Sequence, residues 1–371
     1  MTIITGARLV TPAGVLDTGW LRVAGALIAE VGTGPAAGGE QLAGGWLVPG
    51  FVDLHMHGGG GNDVTESPAA MAAAVDYHRH RGTTRTLVSL MAGPLDAMCE
   101  QLGWLVELAD ADPQIAGAHL EGPFLAHARC GAQNAAHLQP PDTQVLAKLL
   151  DAGQGIVRTV TIAPELPGAL ALISELAEAG VIASIGHTDA GYEQARAGFV
   201  AGATLVTHLF NAMPRLDHRR PGAALAALES SAALELINDG VHVHPAMVRL
   251  AAGHGRDRLV LVTDAMSATG VGDGSYVLGG LPVTVVDGQA RGSESGSLAG
   301  STLTLDQAFR RAVHEVGLSI EDAVAAASTN PARVLGLSDR CGAIRPGLAA
   351  DLVLLDDDLR VRRVMVAGRW L

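Results

Sequence analysis

The stretch Leu47-Val48-Pro49-Gly50-Phe51-Val52-Asp53-Leu54-His55-Met56-His57 is an almost continuous apolar run that ends in two histidines one residue apart. A run that is apolar on both faces reads as a strand buried on both sides, the situation in a parallel sheet covered by helices. In an extended chain residues i and i+2 face the same way, so His55 and His57 are expected to point together into one space at the strand's end.

Seven further runs share this character. With the first, they are Leu47–His55, Thr83–Met91, Ile115–Glu121, Val157–Ala163, Val181–His187, Thr204–Phe210, Leu234–His242 and Leu259–Asp264. Between them, Ser67–Arg81, Leu95–Ala109, Thr143–Ala152, Ala169–Ala179 and Tyr192–Ala201 carry the spacing of helices. Eight buried strands alternating with helices predict an α/β fold, a (β/α)8 TIM-like barrel. Helices are expected again over Leu303–Val316 and Ile320–Leu335, and Val277–Gly292 reads as an inserted hairpin.

Both ends of the chain read differently. Ile3–Val10, Trp20–Val23 and Leu27–Val31 are short β segments punctuated by glycine, and Ala350–Leu355 and Arg363–Ala367 are β again. The economical arrangement is a small β-sandwich domain built from residues 1–45 and 341–371, with a barrel domain over 46–340 between them. A chain of 371 residues with 48% hydrophobic and 17% charged residues has ample material for such a core. Its net charge of −13 argues against nucleic acid and anionic membrane as partners. The three cysteines Cys99, Cys130 and Cys341 are odd in number and widely spaced, which disfavours a disulfide framework and a thiolate zinc site. No signal-peptide pattern or membrane-length apolar run is read, so a cytoplasmic location is expected.

The polar residues at the strand ends carry the chemistry. In a parallel barrel the C-terminal edge forms the active face. There stand His55 and His57, then Glu121, His187, His208, His242 and Asp264. Any one alone reads as a hydrogen-bonded strand-end residue. Gathered on one rim, these imidazoles and carboxylates would be costly to bury without a cation. The expectation is a hydrolytic divalent metal site with one or two ions. His55 and His57 would bind one, and Glu121, His187 and His208 the other, with Glu121 able to bridge. Imidazole and carboxylate donors suit zinc first, with iron, manganese or cobalt as alternatives. Asp264 is then the acid/base that moves a proton between water and leaving group. The single lysine, Lys148, lies in a helical pattern, so a carboxylated lysine bridging two metals is excluded. Met56 and Met266 read as packing residues, Cys130 as a free loop thiol, and Gly58–Gly61 as backbone clearance.

These segments resemble the amidohydrolase superfamily and, within it, the N-acetylglucosamine-6-phosphate deacetylase family. The resemblance runs over nearly the whole chain. It rests most specifically on His119-Leu120-Glu121-Gly122-Pro123-Phe124 and Thr207-His208-Leu209-Phe210-Asn211-Ala212-Met213-Pro214. It implies a metal-dependent hydrolase that converts N-acetyl-D-glucosamine 6-phosphate to D-glucosamine 6-phosphate and acetate. It also implies that Glu121, His187 and His208 are the constant metal ligands and Asp264 the catalytic acid/base. Asn211, Ala212, Arg219 and His242 are implied to hold the sugar phosphate or orient the carbonyl. Arg219 is implied to reach across a homodimer interface, and the loop around Leu298 to close over the sugar. One departure is Gln133, where the family usually has histidine near the substrate; N-acetylgalactosamine 6-phosphate or another N-acylated sugar is therefore an alternative substrate. A non-catalytic barrel is opposed by the complete ligand set. A deaminase or cyclic-amide hydrolase is opposed by the two specific motifs.

Overall fold

The structure, a computed structural model, describes residues 1–371 apart from Pro35 and Ala37. Eight parallel strands follow one another in chain order around one sheet. They are Phe51–Asp53 (β1), Thr83–Met91 (β2), Ile115–Glu121 (β3), Val157–Ile162 (β4), Ile182–Ile185 (β5), Leu205–Val206 (β6), Ala233–Ile237 (β7) and Leu259–Val262 (β8). Apolar side chains such as Leu87, Leu120, Val160, Leu234 and Leu261 are fully buried in them. Truncating one such leucine to alanine costs about 2–5 kcal/mol.

The barrel closes at an unusual seam. β1 and β8 do not pair along their lengths; the chain just beyond them does. Asp264 N–H donates to the His55 carbonyl and His57 N–H to the Ala265 carbonyl, both at 2.8 Å. Met56 and Ala265 thus form a parallel bridge. The segments that carry His55, His57 and Asp264 are themselves the last stave of the barrel.

The helices have readable starts. The Ser67 hydroxyl accepts from the Ala70 N–H, and Pro68 occupies the first turn of helix Pro68–Arg79. Asp142 caps Thr143–Gly153 in the same way. Helices Leu95–Ala111, Ala169–Glu178 and Tyr192–Ala201 lie where the periodicity predicts, and Gly222–Glu229 and Pro245–His254 add two that it did not single out. The stretch 320–335 is not one helix: Ile320–Val324 passes into a π turn, Ala325–Thr329, before Asn330–Val334. Pro331 has no N–H to continue the ladder there.

The chain ends form two further sheets. Thr2–Thr5, Gly19–Ala24, Leu27–Thr33 and Glu40–Gln41 make a four-stranded sheet. Arg8–Thr11, Gly14–Leu16, Trp46–Pro49, Leu352–Leu355, Val361–Val366 and Arg369–Trp370 make a six-stranded one. Ile4, Leu21, Ile28, Leu47 and Leu352 fill one core with side chains from both. The run 47–55, expected as a single barrel strand, is therefore two strands in two sheets. Trp46–Pro49 pairs with Leu352–Leu355 and with Arg8–Leu9. Gly50 N–H still donates to the Asp351 carbonyl, and Phe51 N–H already donates to the Gly82 carbonyl. The switch needs glycine, because a Cβ at residue 50 would lie 2.2 Å from Thr84 Oγ1. The expected hairpin at 277–292 is a three-stranded antiparallel sheet over Gly274–Leu278, Leu281–Val286 and Gln289–Gly292.

Candidate metal centre

The chain leaves regular structure where the site begins. β5 ends at Ile185 and β6 at Val206, so His187 and His208 stand on turns beyond the strands rather than within them. Both take left-handed backbone, φ 46° and 31°, as does Asp264 at 49°. Of nine non-glycine residues with positive φ among the described residues, five (these three with Phe210 and Ala212) sit on this rim. Such conformations cost about 1–3 kcal/mol each and persist where the surroundings over-determine them.

The turns bring the expected ligands together. Glu121, the last residue of β3, places Oε1 3.0 Å from His187 Nε2 and 3.1 Å from His208 Nε2. His55 and His57, placed by the extended chain after β1, hold their Nε2 atoms 2.9 Å apart. His55 Nε2 lies 3.4 Å from Glu121 Oε1, and His57 Nε2 3.4 Å from Oε2. Two groups able to hold a metal ion result, His55–His57–Glu121 and Glu121–His187–His208, and all of these residues are buried. Asp264 Oδ1 stands 3.3 Å from His57 Nε2.

The hydrogen-bonding pattern tests whether a cation fits. His187 Nδ1–H donates to the Arg129 carbonyl at 2.8 Å, and His57 Nδ1–H to the Ser89 carbonyl at 3.1 Å. Each Nε2 is therefore the nitrogen turned into the cluster, where its lone pair is open to an ion or a proton. Those lone pairs meet the oxygens of Glu121, which only accept. Acceptors facing acceptors at 3 Å need positive charge between them, and nitrogen and oxygen donors without sulfur suit a divalent ion of borderline hardness.

The electrostatics point the same way. Burial by itself lowers the His57 pKa, but hydrogen bonds to Asp264 and Glu121 carry it up to about 9. Burial works against His55 too, yet the charges of Glu121 and Asp264 raise its pKa well above the usual value. Conversely, burial raises the Asp264 carboxyl, and His55 and His57 together hold it down at about 2. The rim stabilises positive charge and keeps both carboxylates ionised.

A cavity of about 400 Å³ opens over the cluster, and Gln133, Asn211, Ala212, His242, Asp264 and Leu298 line it. His242 Nδ1 pairs with Asp239 Oδ2 at 2.6 Å, so its other nitrogen is the free one. Gln133 is on the wall, and its carboxamide is engaged inside the protein, with Glu121 and the Ala92 N–H. Arg219 is not in this cavity. It is exposed and lines a neighbouring one of about 870 Å³ with Arg215 and Arg220, and Arg129 borders both. Lys148 pairs with Asp96 at 2.6 Å on the surface, away from the metal groups.

Two buried supports were not singled out from sequence. Glu235, inside β7, puts Oε2 3.6 Å from His55 Nδ1 and accepts from the His208 N–H. A carboxylate in an otherwise apolar strand was the available signal. His119 packs edge-on against His55 and is bonded between Ser89 Oγ and Thr161 Oγ1. Burial and the nearby His55 charge hold its pKa well below the usual value, so it stays a neutral floor to the site.

The chain is similar to known proteins over most or all of its length. The chain is 36% identical to the N-acetylgalactosamine-6-phosphate deacetylase of Escherichia coli O157:H7, over 99% of this chain and 98% of that protein. It is also 36% identical to the N-acetylglucosamine-6-phosphate deacetylase of Lysinibacillus sphaericus, over 90% and 88%. Among solved structures, a mutant of the N-acetyl-D-glucosamine-6-phosphate deacetylase of Mycobacterium smegmatis, in complex with N-acetyl-D-glucosamine-6-phosphate, superposes with a TM-score of 0.96. That protein is 44% identical, covering 100% of this chain and 98% of its own. The model of the Amidohydrolase family matches residues 46–371, and the chain belongs to that family.

Proposed function

We propose that the chain is a metal-dependent deacetylase that hydrolyses the acetamido group of N-acetyl-D-glucosamine 6-phosphate to D-glucosamine 6-phosphate and acetate. The observation that carries this reading is the convergence of Glu121 Oε1 on His187 Nε2 and His208 Nε2 at 3.0–3.1 Å, with Asp264 at the rim of the same cavity. The names of the relatives supply the substrate class.

In this reading Glu121, His187 and His208 would hold one divalent ion, zinc first with iron, manganese or cobalt as alternatives. His55 and His57, together with Glu121, would hold a second. Such an ion supplies Lewis acidity, which polarises an amide carbonyl and makes water a nucleophile near neutral pH. Asp264 is ionised and accessible from the cavity, so it takes the proton of the attacking water and passes it to the departing amine. His242, fixed through Nδ1 by Asp239, directs its second nitrogen at the carbonyl oxygen, where negative charge develops. Asn211, Ala212 and Leu298 contact the sugar. Gln133 contributes to the cavity wall on the substrate side.

Arg219 is read as the phosphate clamp. A protein of net charge −13 needs local cationic charge to hold a phosphate dianion. Arg219 opens on the neighbouring cavity, and the family resemblance implies that it serves the active site of the second protomer of a homodimer. The enzyme is read as cytoplasmic, with residues 1–45 and 341–371 as one small β domain; among the described residues no helix is long and apolar enough to cross a membrane.

N-acetylgalactosamine 6-phosphate is the second reading, favoured by the relative of that name that matches 99% of the chain. Acetate release by the metal-loaded protein from phosphorylated and unphosphorylated N-acetylglucosamine and N-acetylgalactosamine decides. The glucosamine phosphate is expected to give the highest kcat/KM. The reverse order selects the second reading, and no release from any of the four leaves a non-catalytic barrel.

A further inference from the structure

Gln133 has no charge and no place in the metal groups, yet it is 4% exposed and bonded at both ends of its carboxamide. Oε1 accepts from the Ala92 N–H at 2.9 Å, and Nε2 donates to Glu121 Oε2 at 2.6 Å. Ala92 directly follows β2, so the amide is tied to the barrel rim. It cannot flip: exchanging its ends would set an NH2 against an N–H and an oxygen against a carboxylate.

The two oxygens of Glu121 are therefore unequal. Oε1 faces His187 and His208 at 3.0 and 3.1 Å, with His55 Nε2 further off at 3.4 Å. Oε2 is occupied by Gln133 and lies 3.4 Å from His57 Nε2. An N–H donated to a carboxylate oxygen takes up a lone pair and draws off electron density, so Oε2 is the poorer metal donor. The same bond fixes the carboxylate rotation that aims Oε1 at the His187–His208 pair.

We infer that Gln133 ranks the two ion positions: it turns the better donor oxygen of Glu121 to the His187–His208 ion, which binds tightly, and leaves the His55–His57 position weak. Gln133 is on this account a positioning residue acting through Glu121. The inference rests on the reading of Glu121 as a metal ligand. The rival account makes Gln133 only an anchor for the loop after β3, which would lower stability without touching the order of metal release.

The experiment uses the full chain loaded with Zn²⁺ and equilibrated over a series of chelator-buffered free zinc concentrations. Bound zinc per chain is read by elemental analysis. The native chain is expected to release two ions in separate steps, the second leaving at free zinc about 10–100-fold lower than the first. In Gln133→Leu the two steps should close to within about threefold, chiefly because the tight position weakens by about 10–100-fold. Gln133→Met, which keeps the volume, guards against a folding defect in the first variant and should behave alike. Two well-separated steps in both variants, with only the melting temperature lowered, overturn the ranking and leave the anchor. A single native step, or a native chain releasing both ions together, overturns it as well. A native chain that holds no zinc at any concentration instead removes the metal reading itself, whatever the variants do.

Discussion

Asp53 and Thr263 hold the seam of the barrel shut. Asp53 Oδ2 accepts from Thr263 Oγ1 at 2.6 Å, and Oδ1 accepts from the Thr263 N–H at 3.2 Å. The same Oδ1 accepts from the His55 N–H, so one carboxylate orients the segments before His55 and Asp264 together. Complete burial raises its pKa to about 6 against these bonds, so the charge is costly and the shape matters more. Asp53→Ala, which strands two buried N–H donors and leaves the Thr263 hydroxyl only the His55 carbonyl, should destabilise by about 3 kcal/mol. Asp53→Asn keeps an acceptor at Oδ1 and lets the Thr263 hydroxyl turn, so it should cost about 1 kcal/mol. Urea unfolding of both variants at pH 7 measures the difference, and equal losses would mean that the charge, not the bond pattern, holds the seam.

Asp264 lines the cavity with Oδ1 3.3 Å from His57 Nε2, while Glu121 and its two histidines make their closest approaches without it. Replacing its carboxylate should therefore remove proton transfer and spare the ion held by Glu121, His187 and His208. Asp264→Asn is expected to lower kcat by about 10²–10⁴-fold with at least one ion per chain retained. Glu121→Gln, by contrast, should lose both ion and turnover. Metal content and acetate release measured on the same preparations separate the two, and near-native turnover in Asp264→Asn would remove Asp264 from the proton path.

Much of this site is legible in the sequence. The spacing of His55 and His57 put two imidazoles in one space, and Glu121, His187, His208 and Asp264 announced themselves by ending apolar runs. What the runs did not carry was their own length. β6 is only Leu205–Val206, and His208 reaches the site because the chain then turns left-handed, a choice made by surrounding contacts rather than by local propensity. The run 47–55 hides a change of sheet at Gly50, because a strand buried in a sandwich and one buried in a barrel have the same pattern. The contact between Gln133 and Glu121 depends on a loop folding back on itself, which no periodicity encodes.

Arg219 is exposed in a cavity beside, not within, the one over the metal groups. If it clamps phosphate for a second protomer, Arg219→Ala should raise KM for the phosphorylated sugar by about 10–100-fold, as expected for the loss of a charge-assisted bidentate contact, and leave kcat within about threefold. Mixing it with Asp264→Asn after subunit exchange should then restore turnover at the native, low KM, which neither variant shows alone, since one of the mixed sites keeps both residues. Recovery absent from a mixture shown to exchange would place the clamp within one chain.

His78 gives the fold a measurable acid sensitivity outside the metal groups. It is fully buried, and its Nε2–H donates to the Gly58 carbonyl at 3.0 Å. Burial, helped by the charge of Arg81, lowers its pKa from 6.5 to about 4. Below pH 6.5 the unfolded chain takes up a proton that the folded chain refuses, so stability is full above that pH and falls as pH drops towards 4. At pH 5 the depression corresponds to about 2 kcal/mol, at about 1.4 kcal/mol per pH unit. His78→Gln keeps a side-chain N–H for Gly58 and removes the titration. The loss of unfolding free energy between pH 7.5 and pH 5 should be about 2 kcal/mol smaller in the variant than in the native chain. Denaturant melts of the two proteins at both pH values read this difference directly, and equal losses would show that His78 is protonated in the fold or reached by water.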